Sequence, residues 1–220
     1  MTIQEIKKLI KGLHVDDRYV SSHWEEDTTP LLPEMQQANS LHPPKIFRNI
    51  HLSDLLQKQD DGNEIDITYL MAFLTCSTGQ IHYIRKDYRP CMSGPFSGCK
   101  FVKFEYGNDV YFAHVFIRSS NTRLDTSDLW NEFVRLASNS GLYHDFIFFD
   151  PYDKAEKKIS DLSKYNAPFA IINTDNKCYL VLVKEYDGYY ISKDVKLLEC
   201  DPEKRIPGIL NASNCNLARI

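Results

Sequence analysis

Apolar positions recur along the chain with two different periods, and the switches between them outline its elements. Thr2-Ile3-Gln4-Glu5 has the form of a capping box, and Ile3, Ile6, Leu9, Ile10 and Leu13 follow at helical spacing. A short amphipathic helix ending near Gly12 is expected. Residues 15–45 break the pattern, with Pro30, Pro33, Pro43 and Pro44 among polar residues and His23-Trp24 in their midst. The stretch reads as a loop too long for a simple connector, either shaping a groove or mobile. Ser53 is expected to cap a helix through Leu55, Leu56 and Gln57, ended by Asp60-Asp61-Gly62-Asn63. Residues 65–76 fit strand or helix, and residues 81–88 read as a strand.

Asp125 or Thr126 is placed to cap a helix whose apolar stripe is Leu129, Trp130, Phe133, Val134 and Leu136, closed by Gly141. Residues 146–149 read as a buried strand ended by Asp150-Pro151, with His144, Asp145 and Asp150 as polar groups around it. Residues 155–165 predict a charged surface helix. Three strand-like runs follow at 169–172, 179–183 and 189–192, joined by Thr174-Asp175-Asn176 and Asp187-Gly188, and they predict an antiparallel meander. Asp201-Pro202 and Ile206-Pro207-Gly208 mark a terminal loop region. Strands and helices in this order predict one α/β domain over residues 1–220.

The most informative stretch lies at the centre. Residues 100–106 and 110–117 are rich in aromatic and β-branched residues and flank Tyr106-Gly107-Asn108-Asp109, a hairpin signal. With Gly107 and Asn108 as the two loop residues, Tyr106 pairs with Asp109 and His114 with Phe101. Cys99 then lies opposite Phe116. Side chains two apart on a strand share a face, so Cys99 and His114 become same-face diagonal neighbours with backbones roughly 7–8 Å apart. A three-residue loop without a bulge would put them on opposite faces instead.

That pairing has chemical content. A thiol of ordinary pKa is only a few per cent thiolate at neutral pH, and a neighbouring imidazole can take its proton. Ser97-Gly98 ahead of Cys99 is small enough to let the backbone bend around the sulfur and offer N–H groups to a developing oxyanion. Gly94-Pro95 makes a further bend that could present Ser93 to the imidazole as an orienting group. Cys99, His114 and Ser93 are therefore the candidate catalytic residues, on a ribbon expected to be accessible. The alternative is that Cys99 and His114 are merely core, since reduced cysteines are commonly buried.

Composition narrows the classes. A chain of 220 residues can build its own core, and 43% hydrophobic with 25% charged residues describes an ordinary globular protein. A net charge of −4 leaves no basic footprint for nucleic acid. Six cysteines, at 76, 91, 99, 178, 200 and 215, include no C-x-x-C pair, and seven scattered histidines form no ligand motif. Neither a metal nor a cofactor is expected, and the thiols are expected to be reduced. Arg85, Lys86 and Arg89 form a small basic cluster with a solvated face as the first reading. No apolar run reaches membrane-spanning length and the N-terminus does not read as a secretory signal.

The central residues carry a resemblance. Ser93-Gly94-Pro95-Phe96-Ser97-Gly98-Cys99 resembles the Thr-Gly-Pro-Leu-Ser-Gly-Cys segment of the Burkholderia lethal factor family. Ser97-Gly98-Cys99, Gly107 and Tyr111-Phe112-Ala113-His114 are similar to the catalytic domain of the cytotoxic necrotizing factors, and the chemotaxis-receptor deamidases share the idea more remotely. The match spans about two dozen residues. These families deamidate glutamine side chains of target proteins, so the resemblance implies Cys99 as nucleophile, His114 as base and Ser93, in place of Thr, as third member. It implies packed mixed β-sheets, sandwich-like, flanked by helices and long loops. It also implies a monomeric bacterial toxin or effector, delivered without a signal peptide by a specialised system and acting in host cytoplasm. Its partner would be a host protein: a translation-initiation helicase first, a Rho-family GTPase second. Transglutaminase, protease and acyltransferase chemistry, or a non-catalytic binding or immunity-type role, are the alternatives.

Overall fold

Two strands in which consecutive residues are buried in different cores set the layering. In the computed structural model, Val102 and Phe104 are buried in one apolar cluster while Phe101 is buried in another. Leu180 and Leu182 likewise belong to one cluster, and Val181 and Val183 to a third. Period-two alternation with both sets apolar is what a strand needs when both of its faces are covered. The structure describes residues 3–11, 13–14, 31–41, 47–49, 56–58, 61, 63–67, 70–74, 79–86, 89–117, 126–165, 167–184, 186–187, 190–191 and 195–220.

The first sheet is six-stranded, in the order β16 (Lys204–Ile209), β10 (Tyr143–Phe149), β8 (Lys100–Tyr106), β9 (Asp109–Val115), β6 (Ile81–Lys86) and β2 (Phe47–Asn49). The second has five strands, in the order β15 (Val195–Cys200), β12 (Cys178–Val183), β11 (Ala167–Ile172), β7 (Cys91–Ser93) and β5 (Ala72–Leu74). Both are mixed: β2 runs parallel to β6 and β5 parallel to β7, the other pairs being antiparallel. A small third sheet joins β13 (Tyr186–Asp187), β14 (Tyr190–Ile191), β1 (Leu13–His14), β3 (Leu56–Lys58) and β4 (Glu64–Asp66).

Four layers result. Helices α2 (Pro33–Leu41) and α3 (Ser127–Ala137) cover the outer face of the six-stranded sheet through Met35, Ala38, Leu129, Trp130 and Phe133. The inner face, with Phe101, Phe112 and Phe149, packs on Ala170, Ile172, Leu180 and Leu182 of the five-stranded sheet. The far face of that sheet, with Phe169, Ile171, Val181 and Val183, is covered by Ile6 and Ile10 of α1 (Ile3–Ile10). The chain crosses between the two large sheets repeatedly: β5 and β7 lie in one and the intervening β6 in the other. No helix among the described residues is long and apolar enough to cross a membrane.

This is the α/β class that the element order predicts, with the packed mixed sheets and flanking helices that the resemblance implies. Several elements differ from expectation. The proline-containing stretch holds α2, with Pro33 as its first residue, where a missing N–H costs no helical bond. Leu56 and Gln57 are strand, not helix. The described part of residues 65–76 is the end of β4 and β5, with Met71 N–H donating to Ile67 O at 3.2 Å between them. The helix expected at 155–165 is α4 (Pro151–Lys158), which starts as soon as Asp150 caps it through the Asp153 N–H at 2.9 Å. Residues 169–183 do form a hairpin, but β14 leaves for the small sheet and β15 takes the place beside β12. The terminal loop region is β16, an edge strand, where Pro207 is tolerated because one side needs no donor. His23, Trp24, Ser53, Cys76 and Asp125 lie outside the described residues.

The link from β7 to β8 is held against β11. Phe96 N–H donates to Pro168 O at 2.8 Å, and the Gly94-Pro95 peptide is cis. Gly94 has φ +146, and a Cβ there would lie 2.4 Å from the Phe169 Cδ1 and 3.0 Å from its Cα. Both the backbone angle and the packing therefore demand glycine. Gly94→Ala is expected to lose on the order of 3 kcal/mol of stability, measured by denaturant unfolding. Gly98→Ala, where a Cβ meets nothing within 4 Å, should lose less.

Candidate functional site

The hairpin forms in the expected register. Tyr106 pairs with Asp109, Phe101 with His114 and Lys100 with Val115. Gly107 has φ +59, the positive angle that the first loop residue of a II′ turn requires. Cys99, Phe101, Phe112 and Phe116 share the inner cluster, so Cys99 lies on the His114 face of the ribbon.

Ser93 reaches this face from the opposite sheet. It ends β7 between β5 and β11, in register with Leu74 and Ala170. Its Oγ lies 2.6 Å from Leu74 O and 2.7 Å from His114 Nδ1. A carbonyl can only accept, so the one hydroxyl proton goes to Leu74 and Ser93 Oγ must accept from Nδ1–H. That assigns the tautomer: in the neutral ring the lone pair is on Nε2. Phe96 stacks flat on the imidazole, with centroids 4.4 Å apart and planes 3° from parallel, and fixes its plane.

Nε2 is buried and meets no hydrogen-bond partner among the described residues. An orphaned buried acceptor costs about 1–3 kcal/mol, so the fold carries a basic nitrogen that it leaves unused. Ser93 and His114 are 0% exposed and Cys99 is 4% exposed. Two expectations are thereby corrected. The ribbon is not an open surface, because the Phe-rich inner core closes over both groups. Thiol and imidazole share a face without a hydrogen bond at Nε2.

The loop above them alternates: Pro95 and Ser97 are exposed, Phe96 and Cys99 buried, and Gly98 half-buried. Gly98 has φ +116, which lets the chain turn into Cys99. Phe96 N–H is already committed to Pro168 O, so any oxyanion donors here come from residues 97 onward. A cavity of about 450 Å³ opens beside the loop, between Pro95, Phe96 and Ser97 on one wall and Tyr152, Leu162 and Tyr165 on the other.

Sequence reasoning missed two neighbours. His82 of β6 lies directly opposite His114, 0% exposed, with Nε2 2.8 Å from Gln80 Oε1. Leu74 O, which decides the tautomer, is contributed by a strand the sequence left ambiguous. Nothing local signals either contact, since both follow from pairings between distant segments.

The polar groups around β10 are fasteners. Asp150 caps α4 and pairs with Lys100. His144 Nε2 lies 3.0 Å from Gly107 O, and its Nδ1 lies 2.9 Å from Asp145 Oδ2 and 3.4 Å from Glu105 Oε2. Every one of these neighbours accepts, so only the doubly protonated ring satisfies them all. Burial works against that charge, but the hydrogen bonds to Asp145 and Gly107, with Glu105 nearby, raise the His144 pKa above its ordinary value. Burial also opposes the Asp145 carboxylate, yet His144 and the Gly208 N–H at 2.9 Å hold its pKa below the usual range. Glu105, His144 and Asp145 have ligand atoms within 4.8 Å of one another, and a cation there would have to displace the Nδ1 proton. Arg85 is exposed and pairs with Asp109 at 2.9 Å, and Arg89 is half-buried.

No protein-family model matches the chain, and no curated protein matches it.

The His144 group has a defined pH signature. A raised histidine pKa stabilises fully below the ordinary value of 6.5 and ceases to as pH rises through the folded value. A lowered Asp145 pKa stabilises above 3.8 and is lost as pH falls through its folded value. The stability difference between wild type and His144→Gln should therefore be greatest in mildly acidic solution. It should shrink towards alkaline pH, as followed by urea unfolding across that range.

Proposed function

We propose that the chain is a cysteine-dependent protein-glutamine deamidase of the toxin or effector kind. The observation that carries this reading is the orphaned His114 Nε2: a basic nitrogen, oriented through Nδ1 by Ser93, on the Cys99 face of one hairpin. A purely structural histidine would need the Ser93 bond and the Phe96 stack, but not an unused acceptor in the core. Catalytic hydrogen bonds commonly tighten only with substrate in place, and the thiol–imidazole contact is of that kind.

In this mechanism His114 Nε2 takes the Cys99 proton as the sulfur attacks the side-chain carbonyl of a target glutamine. Nε2 then returns the proton to the departing ammonia. Backbone N–H groups at Ser97 and Gly98 hold the oxyanion. Water, deprotonated by the same nitrogen, hydrolyses the thioester to glutamate. Movement at Ser97-Gly98, where a Cβ on Gly98 would meet nothing within 4 Å, admits the substrate amide while Gly94 and Phe96 stay anchored, and the adjacent cavity receives a neighbouring part of the target chain. The motif resemblance favours a translation-initiation helicase as target over a Rho-family GTPase.

The burial of Cys99 favours a second reading, a binding domain whose hairpin is only core. The two diverge in thiol reactivity. Burial pushes Cys178 up to about 12 and raises Cys200, so both are held as thiols. Under the deamidase reading a limiting neutral alkylating agent labels Cys99 ahead of Cys178 and Cys200, as peptide mapping would show. Equal labelling would favour the binding domain.

Activity is tested by ammonia release and by intact mass of the two candidate targets, amide-to-acid conversion adding about one dalton. Cys99→Ser is expected to fold and fall to background, and His114→Ala to lose about 10²–10⁴-fold. Ser93→Ala should retain a fraction, roughly one-tenth to one-hundredth, because Nε2 persists but loses its orientation. A fully active His114→Ala protein would remove the base, and a shortened target would indicate a protease.

A further inference from the structure

The five-stranded sheet holds a pair of sulfurs that the proposed chemistry does not use. Cys178 opens β12 and Cys200 ends β15, and the two are direct partners in the antiparallel register. Opposed residues of an antiparallel pair have Cα atoms about 4.5–5.5 Å apart, within the roughly 4.4–6.8 Å that disulfides span. Opposed residues also share a face, and both sulfurs lie in the core between the two large sheets. We propose that Cys178 and Cys200 are a cross-strand oxidation site, closed to a disulfide by a small-molecule disulfide of the glutathione type.

The same geometry excludes competitors among the described cysteines. Cys91 is in the same row, but β11 intervenes, with Ile172 opposite both Cys91 and Cys178. Two strand spacings are about 9.5 Å, beyond disulfide reach. Cys99 belongs to the facing sheet, about 10 Å away, and Cys215 to the cluster under α3.

Position in the sheet orders the reaction. β15 is the edge strand, and Cys200 is 4% exposed while Cys178 is 0% exposed. Fraying of β15 presents Cys200 first. Its thiolate attacks the oxidised glutathione S–S bond, forms a mixed disulfide and releases one glutathione thiolate, which takes up a proton. The Cys178 thiolate then attacks the Cys200 sulfur, forming the protein disulfide and releasing the second glutathione. Two protein thiols are oxidised and one glutathione disulfide is reduced. The raised thiol pKa values make both steps slow at neutral pH. Once closed, the bond fastens the edge strand to β12 and encloses the excursion that carries β13 and β14 to the small sheet.

The test is incubation of the full native chain with oxidised glutathione, quenching by alkylation and non-reducing peptide mapping. The expected product has lost two hydrogens and yields one linked peptide containing Cys178 and Cys200. Its thermal midpoint should rise on the order of 5–10 °C and return on reduction. Cys200→Ser should give neither the linked peptide nor the shift. Wild-type protein that yields another pairing, or ends as glutathione adducts without the Cys178–Cys200 link, would overturn the proposal, whatever its activity on glutamine.

Discussion

The hydrogen bond from His114 to Ser93 crosses an interface that is otherwise built of hydrocarbon. It runs from β9 in one large sheet to β7 in the other, through a core of phenylalanine, leucine and isoleucine side chains. In such surroundings each polar atom must be satisfied or carries a desolvation cost. Ser93 is satisfied on both sides, giving its proton to Leu74 and receiving one from the imidazole. His114 is satisfied on one side only. The spacing of the two sheets, the rotamer of the serine and the tautomer of the histidine are thus tied together, and the unpartnered Nε2 follows from that tie.

The surroundings of the tie are built to resist displacement. Ser93 sits in a strand flanked on both sides, with a parallel partner and an antiparallel one. Phe96 closes on the ring from the following loop, and that loop is drawn against β11 closely enough that Gly94 has no room for a side chain. At the other end of the same inner core, Lys103 reaches from β8 to Asn176 in the β11–β12 turn. Burial lowers the Lys103 pKa despite the acidic groups near it. The two sheets are therefore bridged by polar contacts at separate points, with hydrocarbon between.

What was legible in the chain was local. Alternation on either side of Gly107-Asn108 defined the hairpin, its register and the shared face of Cys99 and His114, because parity and turn type are decided within twenty residues. The stripe Leu129, Trp130, Phe133 located α3 for the same reason. Thr126 stands at its start, though its hydroxyl binds Phe116 O rather than the helix. Misreadings cluster where local chemistry serves two structures. Pro33 starts a helix as readily as it breaks one, and Pro207 fits an edge strand that looks like loop. The departure of β14 to the small sheet, Leu74 as the serine's acceptor and His82 beside His114 depend on partners distant in sequence. The burial of Cys99 belongs to this class, since the side chains that cover it come from several elements.

The path of the chain between the sheets has its own consequence. After β5 it leaves for β6, returns for β7, leaves again for β8, β9 and β10, comes back for β11, β12 and β15, and finishes in β16. No contiguous fragment from this region holds one large sheet without strands of the other, so neither half of the sandwich is a separable stretch of chain. Non-local pairing on this scale makes assembly slow and all-or-none. A chain cut anywhere between β5 and β16 leaves each piece with strands whose neighbours are on the other.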